Sequence, residues 1–126
     1  MADGSDIADS PDPRFVTGAE LFNRGAYFDA HEVWEDVWRD GAPADRRFYQ
    51  ALIQAAVALY HFERGNLTGA ARLYRSGRRY MEPYRPAHMG LSVDPFWDAV
   101  AARLAAALGN TDCSGAPPPR ITPGEV

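Results

Sequence analysis

The chain has 126 residues, of which 46% are hydrophobic and 24% charged, and it carries a formal net charge of −4 at pH 7. This length suits one domain with a sizeable core, and the negative charge gives no general reason to expect binding to nucleic acid or to an anionic membrane. Cys113 is the single cysteine, so the sequence excludes an internal disulfide and a cysteine-based zinc cluster, and no apolar run is long enough for a transmembrane helix.

Helix start and stop patterns follow one another along the chain and predict an all-α fold. Asp12-Pro13 is a capped helix start, and Gly25 is a natural helix end. We expect a flexible, acidic N-terminal tail at 1–11, one helical domain at 12–110 and a proline-rich C-terminal tail at 111–126. Five helices are predicted, at about 13–24, 26–39, 45–64, 67–82 and 94–108, with a loop at 83–93 and no strand. The first ten residues have neither a basic start nor an apolar run, so we expect a cytoplasmic protein.

Two segments of the chain resemble each other at a spacing of forty residues. The pattern Phe22-x-Arg24-Gly25-x-Tyr27-x-x-Ala30 recurs as Phe62-x-Arg64-Gly65-x-Leu67-x-x-Ala70. Both copies have the form helix, glycine turn, helix. Because two copies are too few for a solenoid, they predict a compact bundle built from two hairpins and a closing C-terminal helix, with the apolar third helix at its centre.

The second helix carries a polar stripe that the hairpin itself does not need. His31, Glu35 and Trp38 fall at i, i+4 and i+7, so they share one helical face. The second copy has Ala71, Arg75 and Arg78 at the same positions. An imidazole, a carboxylate and an indole on one stripe therefore mark the candidate functional site.

The chain also resembles the domain of unknown function 309 family. The resemblance spans roughly residues 12–100 and rests on Phe22-Asn-Arg-Gly25, Tyr27-Phe-Asp-Ala-His-Glu32, Phe48-x-Gln50-Ala-Leu-Ile-Gln54, Tyr60-His61 and Gly65-Asn66-x-x-Gly69-Ala70. It implies a small all-helical prokaryotic protein with no assigned reaction. The H-x-x-x-E-x-x-[WY] motif of the family, suggested to bind metal, falls here on His31, Glu35 and Trp38.

A divalent metal ion is one candidate ligand of this stripe. His31 and Glu35 lie one helical turn apart, and His61 on the third helix would complete a set of two histidines and one carboxylate. The zincin pattern H-E-x-x-H is absent, because a carboxylate stands at the position of its second histidine. This hypothesis gives a metal-dependent hydrolase or similar enzyme as the alternative function, with His31 and Glu35 as ligands and Glu32 or His61 in proton transfer.

Two other hypotheses for the role of the His31–Glu35–Trp38 stripe need no metal ion. In the first, His31 and Glu35 form a buried polar network with Gln50, Gln54 and His61 that fixes the register of two helices. In the second, His31 is a general base oriented by Glu35, in a pocket walled by Trp38 and Tyr60. The preferred function is a small ligand-binding or interaction module whose site lies between helices 2 and 3.

The predicted fourth helix concentrates positive charge. We interpret this arginine cluster as a solvated face that pairs with acidic residues, rather than as an RNA site, because the chain is acidic overall. The cluster consists of Arg72, Arg75, Arg78 and Arg79, and its expected partners are Asp29, Asp36, Asp40 or Asp45. The partner of the module is an unknown small molecule or protein, and exposed aromatic residues would allow a homodimer. His88, in the loop, is expected at the surface without a role.

Overall fold

The computed structural model describes residues 12–109 and 116–122, which form five α-helices and a short antiparallel hairpin. The helices are α1 (Pro13–Asn23), α2 (Tyr27–Asp40), α3 (Arg46–Glu63), α4 (Leu67–Met81) and α5 (Val93–Arg103). The hairpin pairs β1 (Ala87–His88) with β2 (Leu91–Ser92). The all-α prediction is confirmed, and no helix in the described ranges is long and apolar enough to cross a bilayer. The predicted tail at 1–11 and Cys113 lie outside the described residues.

The two predicted hairpin turns form as expected from their local sequence. At the start of α1, Asp12 Oδ1 accepts a hydrogen bond from the backbone N–H of Arg14 at 2.8 Å. Gly25 and Gly65 take φ values of +81° and +83°, which favour glycine, and each ends a helix before the next one begins. The helix–glycine–helix units are therefore consequences of nearby residues.

Two of the predicted helix caps are wrong. Neither Asp45 nor Asp94 makes a side-chain cap bond at the start of its helix. Asp45 Oδ1 lies 2.9 Å from His88 Nε2, and Asp94 Oδ2 accepts a hydrogen bond from Arg85 at 2.9 Å. Each carboxylate is held by a cationic or imidazole partner brought close by the fold, so His88 has a structural role that the sequence did not reveal.

Helix α3 is the centre of the domain, as predicted, and it packs against α2 on one side and α4 on the other. Small residues make this close packing possible. Ala51, Ala55 and Ala56 on α3 are fully buried, and a Cβ added to Gly77 of α4 would lie 3.2 Å from the carbonyl oxygen of Ala51. The two helix backbones therefore approach too closely for a larger residue at position 77.

The region after α4 differs from the prediction at two points. The predicted loop contains β1 and β2, joined by a turn in which Met89 and Gly90 have φ values of 53° and 81°. Strands of two residues are too short to show an alternating pattern in sequence. Helix α5 ends at Arg103 instead of near 108, and the Arg103 side chain donates a hydrogen bond to the carbonyl of Ala116 at 2.8 Å.

Gly18 of α1 is expected to resist substitution by alanine. A Cβ at this position would lie 2.2 Å from Nε1 of Trp34, a fully buried indole that donates to the carbonyl of Phe15 at 3.3 Å. Helix propensity favours alanine by about 1 kcal/mol, but overpacking costs about 1–3 kcal/mol or more, so Gly18→Ala should destabilise the fold by about 1–2 kcal/mol. Urea unfolding against Glu20→Ala, an exposed change on the same helix, measures this effect. A stabilised Gly18→Ala variant would contradict the close contact between Gly18 and the Trp34 ring.

Tyr49 predicts a loss of stability at alkaline pH. Burial, with smaller effects of Asp12 and Asp45, raises the pKa of the Tyr49 hydroxyl above its ordinary value of about 10. Because the folded-state pKa is the higher one, folding favours the neutral phenol, and this contribution is lost as the pH rises above the unfolded-state value. The free energy of unfolding should therefore fall less steeply between about pH 9 and 11 in Tyr49→Phe than in the wild type. Equal slopes for the two proteins would refute the assignment.

Candidate functional site

Helix α2 presents His31, Glu35 and Trp38 on one face, beside α3, as their spacing predicts. The side chain of His31 is 14% exposed and that of Glu35 is 49% exposed, while Trp38 is half-buried. Contacts from α3 fix the orientation of this face: Arg46 lies over the Trp38 ring with its guanidinium carbon 4.8 Å from the ring centroid. The stripe is thus a surface feature at the α2–α3 boundary.

The imidazole of His31 is oriented by its own helix. Its Nδ1 is within hydrogen-bond distance of the backbone carbonyl of Phe28, and this contact requires Nδ1 to carry a hydrogen. Nε2 lies 3.7 Å from Glu35 Oε2, which is longer than a hydrogen bond. In the neutral ring Nε2 therefore has a free lone pair next to a carboxylate oxygen.

These donors do not fit a resident metal ion. His31 and Glu35 supply two ligands, whereas catalytic zinc usually takes three from the protein. The ring of His61 contacts Tyr60 and the side-chain amide of Asn66. Across residues 12–109 and 116–122, no three His, Cys, Asp or Glu side chains form a group that could hold a metal ion. The predicted set of His31, Glu35 and His61 is therefore not formed.

The predicted polar network is not formed either. Within the described residues, no hydrogen bond joins His31 or Glu35 to Gln50, Gln54 or His61. Gln54 faces α4, since a Cβ on Gly77 would lie 3.2 Å from its Cβ. Its Oε1 is buried without a hydrogen-bond partner in this part of the chain. The glutamines of α3 thus do not connect to the α2 stripe.

The candidates for proton transfer do not converge on one point. Glu32 is exposed and follows His31 directly, so it lies about 100° around the helix from the imidazole. The His61 ring contacts the ring of Tyr60, with centroids 6.1 Å apart, and does not contact His31 in the described structure. Among the described residues, His31 is thus an oriented imidazole beside Glu35, and neither Glu32 nor His61 forms a hydrogen bond with it.

An aromatic cluster that the sequence analysis missed extends the site. Phe28, 48% exposed, packs against His31 and Tyr60 with ring centroids 4.7 Å and 5.5 Å away. Arg64 lies over the Tyr60 ring at 5.1 Å. Phe28 precedes His31 by three positions and so belongs to the same helical stripe, which is the pattern that could have identified it.

Arginines of α3 stack on aromatic rings instead of pairing with carboxylates. Arg46 lies over Trp38, Arg64 over Tyr60, and Arg47 over Tyr80 of α4 at 5.5 Å. None of the three forms a salt bridge with another described residue. A half-exposed stripe of α3 side chains lies between Arg46 and Arg64. We call the combined surface the α2–α3 face; it comprises Phe28, His31, Trp38, Arg46, Gln50, Ile53, Val57, Tyr60 and Arg64.

The predicted pairing of the α4 arginine cluster is wrong. Arg78 donates to Asp98 of α5 at 2.8 Å and to the Tyr74 hydroxyl at 2.6 Å. Three of the four acidic residues expected as partners pair elsewhere: Asp36 with Arg39, Asp40 with Arg14, and Asp45 with His88. Residues 72, 75 and 79 of the cluster are exposed and have no ion pair with a described residue.

Comparison with known sequences finds a family profile that matches the part of the chain containing the site. The sequence profile described as Domain of unknown function (DUF309) matches residues 15–73. The matched segment, 59 of the 126 residues, is therefore similar to the DUF309 family. It is also similar to "Uncharacterized protein YpuF" of Bacillus subtilis (strain 168), with 39% identity over 69 residues, which are 54% of this chain and 40% of YpuF. No solved structure matches the chain. The family match contains all of the α2–α3 face.

His31 should contribute little to stability. Its hydrogen bond goes to a carbonyl that also accepts from the helical ladder, so removal of the imidazole leaves no buried group unpaired. We expect His31→Ala to lower the free energy of unfolding by less than about 1 kcal/mol, compared with about 3–5 kcal/mol for the fully buried Trp34→Ala. Denaturant unfolding of both variants tests this. A loss of about 2 kcal/mol or more for His31→Ala would restore the structural-network hypothesis.

Proposed function

We propose that this chain is a binding module whose α2–α3 face docks an acidic, amphipathic helix of another protein. The observation that carries the proposal is the state of Arg46 and Arg64. Both guanidinium groups are held on aromatic rings at the two ends of the half-exposed α3 stripe, without a described carboxylate partner. Such cations are oriented and remain available to an anionic ligand.

The shape of the face favours a protein ligand over a small molecule. Arg46 is the first residue of α3 and Arg64 caps its C-terminal end, eighteen residues later, so their backbones are separated by about 27 Å along the helix. The side chains between them are half-buried along a strip. Clefts of about 210, 240 and 460 Å³ lie elsewhere on the molecule. A strip of this length matches a helix of about five turns.

The chemistry of the face defines the ligand. Ile53 and Val57 are half-buried apolar residues in the middle of the α3 stripe, and Trp38 and Tyr60 lie near its two ends, under Arg46 and Arg64. Tryptophan, tyrosine and arginine are the residue types that dominate interface energetics. A helix with apolar residues at i, i+3 or i+4 and i+7, and with acidic residues near both ends, would complement this surface.

A different protein fits this face better than a second copy of the chain. In a two-fold dimer with antiparallel α3 helices, the arginine at one end of α3 would meet the arginine at the other end of the second helix. Like charges at both ends oppose that arrangement. A partner with acidic ends avoids this repulsion.

Selection from a displayed library of random helical peptides, each about 20 residues long, tests the proposal against the purified chain. We expect enrichment of acidic amphipathic sequences. Their affinity should fall about tenfold or more for Trp38→Ala and for Arg46→Glu with Arg64→Glu, because the apolar anchor and the cations are lost.

Arg72→Glu with Arg79→Glu is the matched control, since it reverses the same number of charges on the exposed face of α4. The selected peptides should bind this variant as they bind the wild type. Failure to enrich any peptide would exclude the proposed face. Peptides whose affinity is unchanged by Arg46→Glu with Arg64→Glu would exclude it as well.

The metal-dependent hydrolase is not supported by the geometry, since His31 and Glu35 provide two ligand atoms and His61 does not join them. We place the proposed binding activity in the cytoplasm, in keeping with a sequence that has a single cysteine and so needs no internal disulfide.

A further inference from the structure

Residues 116–122 lie in a groove between α1 and α5. At one end, the Arg103 side chain of α5 donates a hydrogen bond to the carbonyl of Ala116 at 2.8 Å. At the other end, Asn23 of α1 bonds to Ile121, which is 1% exposed and belongs to the core cluster. The segment has no helix or strand of its own, so these contacts hold it in place.

Asn23 recognises the backbone of this segment. Its Nδ2 donates to the carbonyl of Ile121 at 2.6 Å, and its Oδ1 accepts from the N–H of the same residue at 2.7 Å. A side-chain amide has the donor and acceptor of a peptide group, so this pair replaces the contacts of a neighbouring strand. Contacts of this kind bind any extended chain in register, whatever its side chains.

The side chains of the segment add specificity. Pro119 and Ile121 are buried, whereas Arg120 and Thr122 are exposed, which is the alternation of an extended chain. The two buried anchors, Pro119 and Ile121, are separated by one exposed residue. The hydrogen bonds from Asn23 fix the position of Ile121. Backbone pairing combined with alternate side-chain anchors is the general mode of extended-peptide recognition.

The clamp is not part of the hairpin fold. In the second copy of the repeated pattern, Glu63 stands where the first copy has Asn23, and a carboxylate cannot donate to a carbonyl. The hairpin therefore folds without this amide. Open space also remains beside the segment: clefts of about 240 and 460 Å³ flank Arg120, the first lined also by Phe96 and the second by Asn23.

We propose that the α1–α5 groove is a peptide-binding site for extended segments with proline two residues before isoleucine, and that residues 116–122 are its resident, displaceable occupant. The same segment supplied on another molecule should compete for the groove. This inference does not depend on the α2–α3 face, because the two surfaces share no residue.

A labelled synthetic peptide with the sequence of residues 114–124 tests the proposal by fluorescence anisotropy with the full chain. Ile121→Asp removes the anchor of the resident segment and should free the groove. We expect the peptide to bind this variant about tenfold or more tightly than the wild type. Adding Asn23→Ala to Ile121→Asp should abolish binding, and a control peptide with aspartate in place of its isoleucine should not bind.

Absence of binding to a folded Ile121→Asp variant, checked by circular dichroism, would show that the segment is only a part of the core. Equal binding of the peptide to the wild type, to Ile121→Asp and to the double variant with Asn23→Ala would show non-specific association and would also overturn the proposal. If Ile121→Asp does not fold, a protease site replacing residues 111–114 allows the segment to be cut from the folded wild-type sequence. Exchange of the cut segment with labelled peptide supports the site, and its permanent retention contradicts it.

Discussion

Two buried indoles seated on glycines fix how the helices of this protein meet. Trp34 of α2 packs on Gly18 of α1, and Trp97 of α5 packs on Gly77 of α4, where added Cβ atoms would lie within 2.2 Å and 2.8 Å of the rings. Both indoles are fully buried, so neither can move aside. The first contact joins two helices linked by the Gly25 turn, and the second joins α4 and α5, which are linked by the segment that contains β1 and β2. The core depends on these two close approaches, because a side chain at either glycine would force helices apart.

This packing decides which part of the central helix remains available. The alanine-rich side of α3 is buried in the core, and α2 and α4 pack against the helix on either side of it. The remaining stripe, with Gln50 and Val57 in its middle, is left half-exposed. Arg46 at one end lies over Trp38 of α2, and Arg64 at the other end lies over Tyr60 of α3 itself. No carboxylate among the described residues forms a salt bridge with either arginine. The α2–α3 face is therefore a product of how the core is built.

Local chemistry explains how much of the fold could be predicted from the sequence. Asp12-Pro13, Gly25 and Gly65 act on the backbone within a few residues, so their effects were predicted correctly. Asp45 and Asp94 have the same cap-forming chemistry, but tertiary partners take their carboxylates. The contact between Asn23 and Ile121 joins residues 98 positions apart. No local pattern predicts such a contact, and it is the reason that residues 116–122 pack on the domain.

The candidate site shows the same division. Helical periodicity fixed the shared face of His31, Glu35 and Trp38, because that relation depends on one helix alone. It could not give the rotation of α3 about its own axis, which turns Gln54 towards α4 and brings Arg46 to Trp38. A ligand set or network across two helices needs that rotation, so the predicted partners on α3 do not meet His31 and Glu35, although these two residues and Trp38 share one face of α2.

The two proposed binding surfaces differ in how widely they should occur. The α2–α3 face lies within residues 15–73, the part that matches the DUF309 family, and so does Asn23. The α5 side of the groove and its occupant at 116–122 lie outside that match. Helix docking on the face would therefore be a property of the shared helical unit. Peptide binding in the groove requires in addition a helix that supplies Arg103 and a cavity for Ile121, so it belongs to chains that continue as this one does beyond α4.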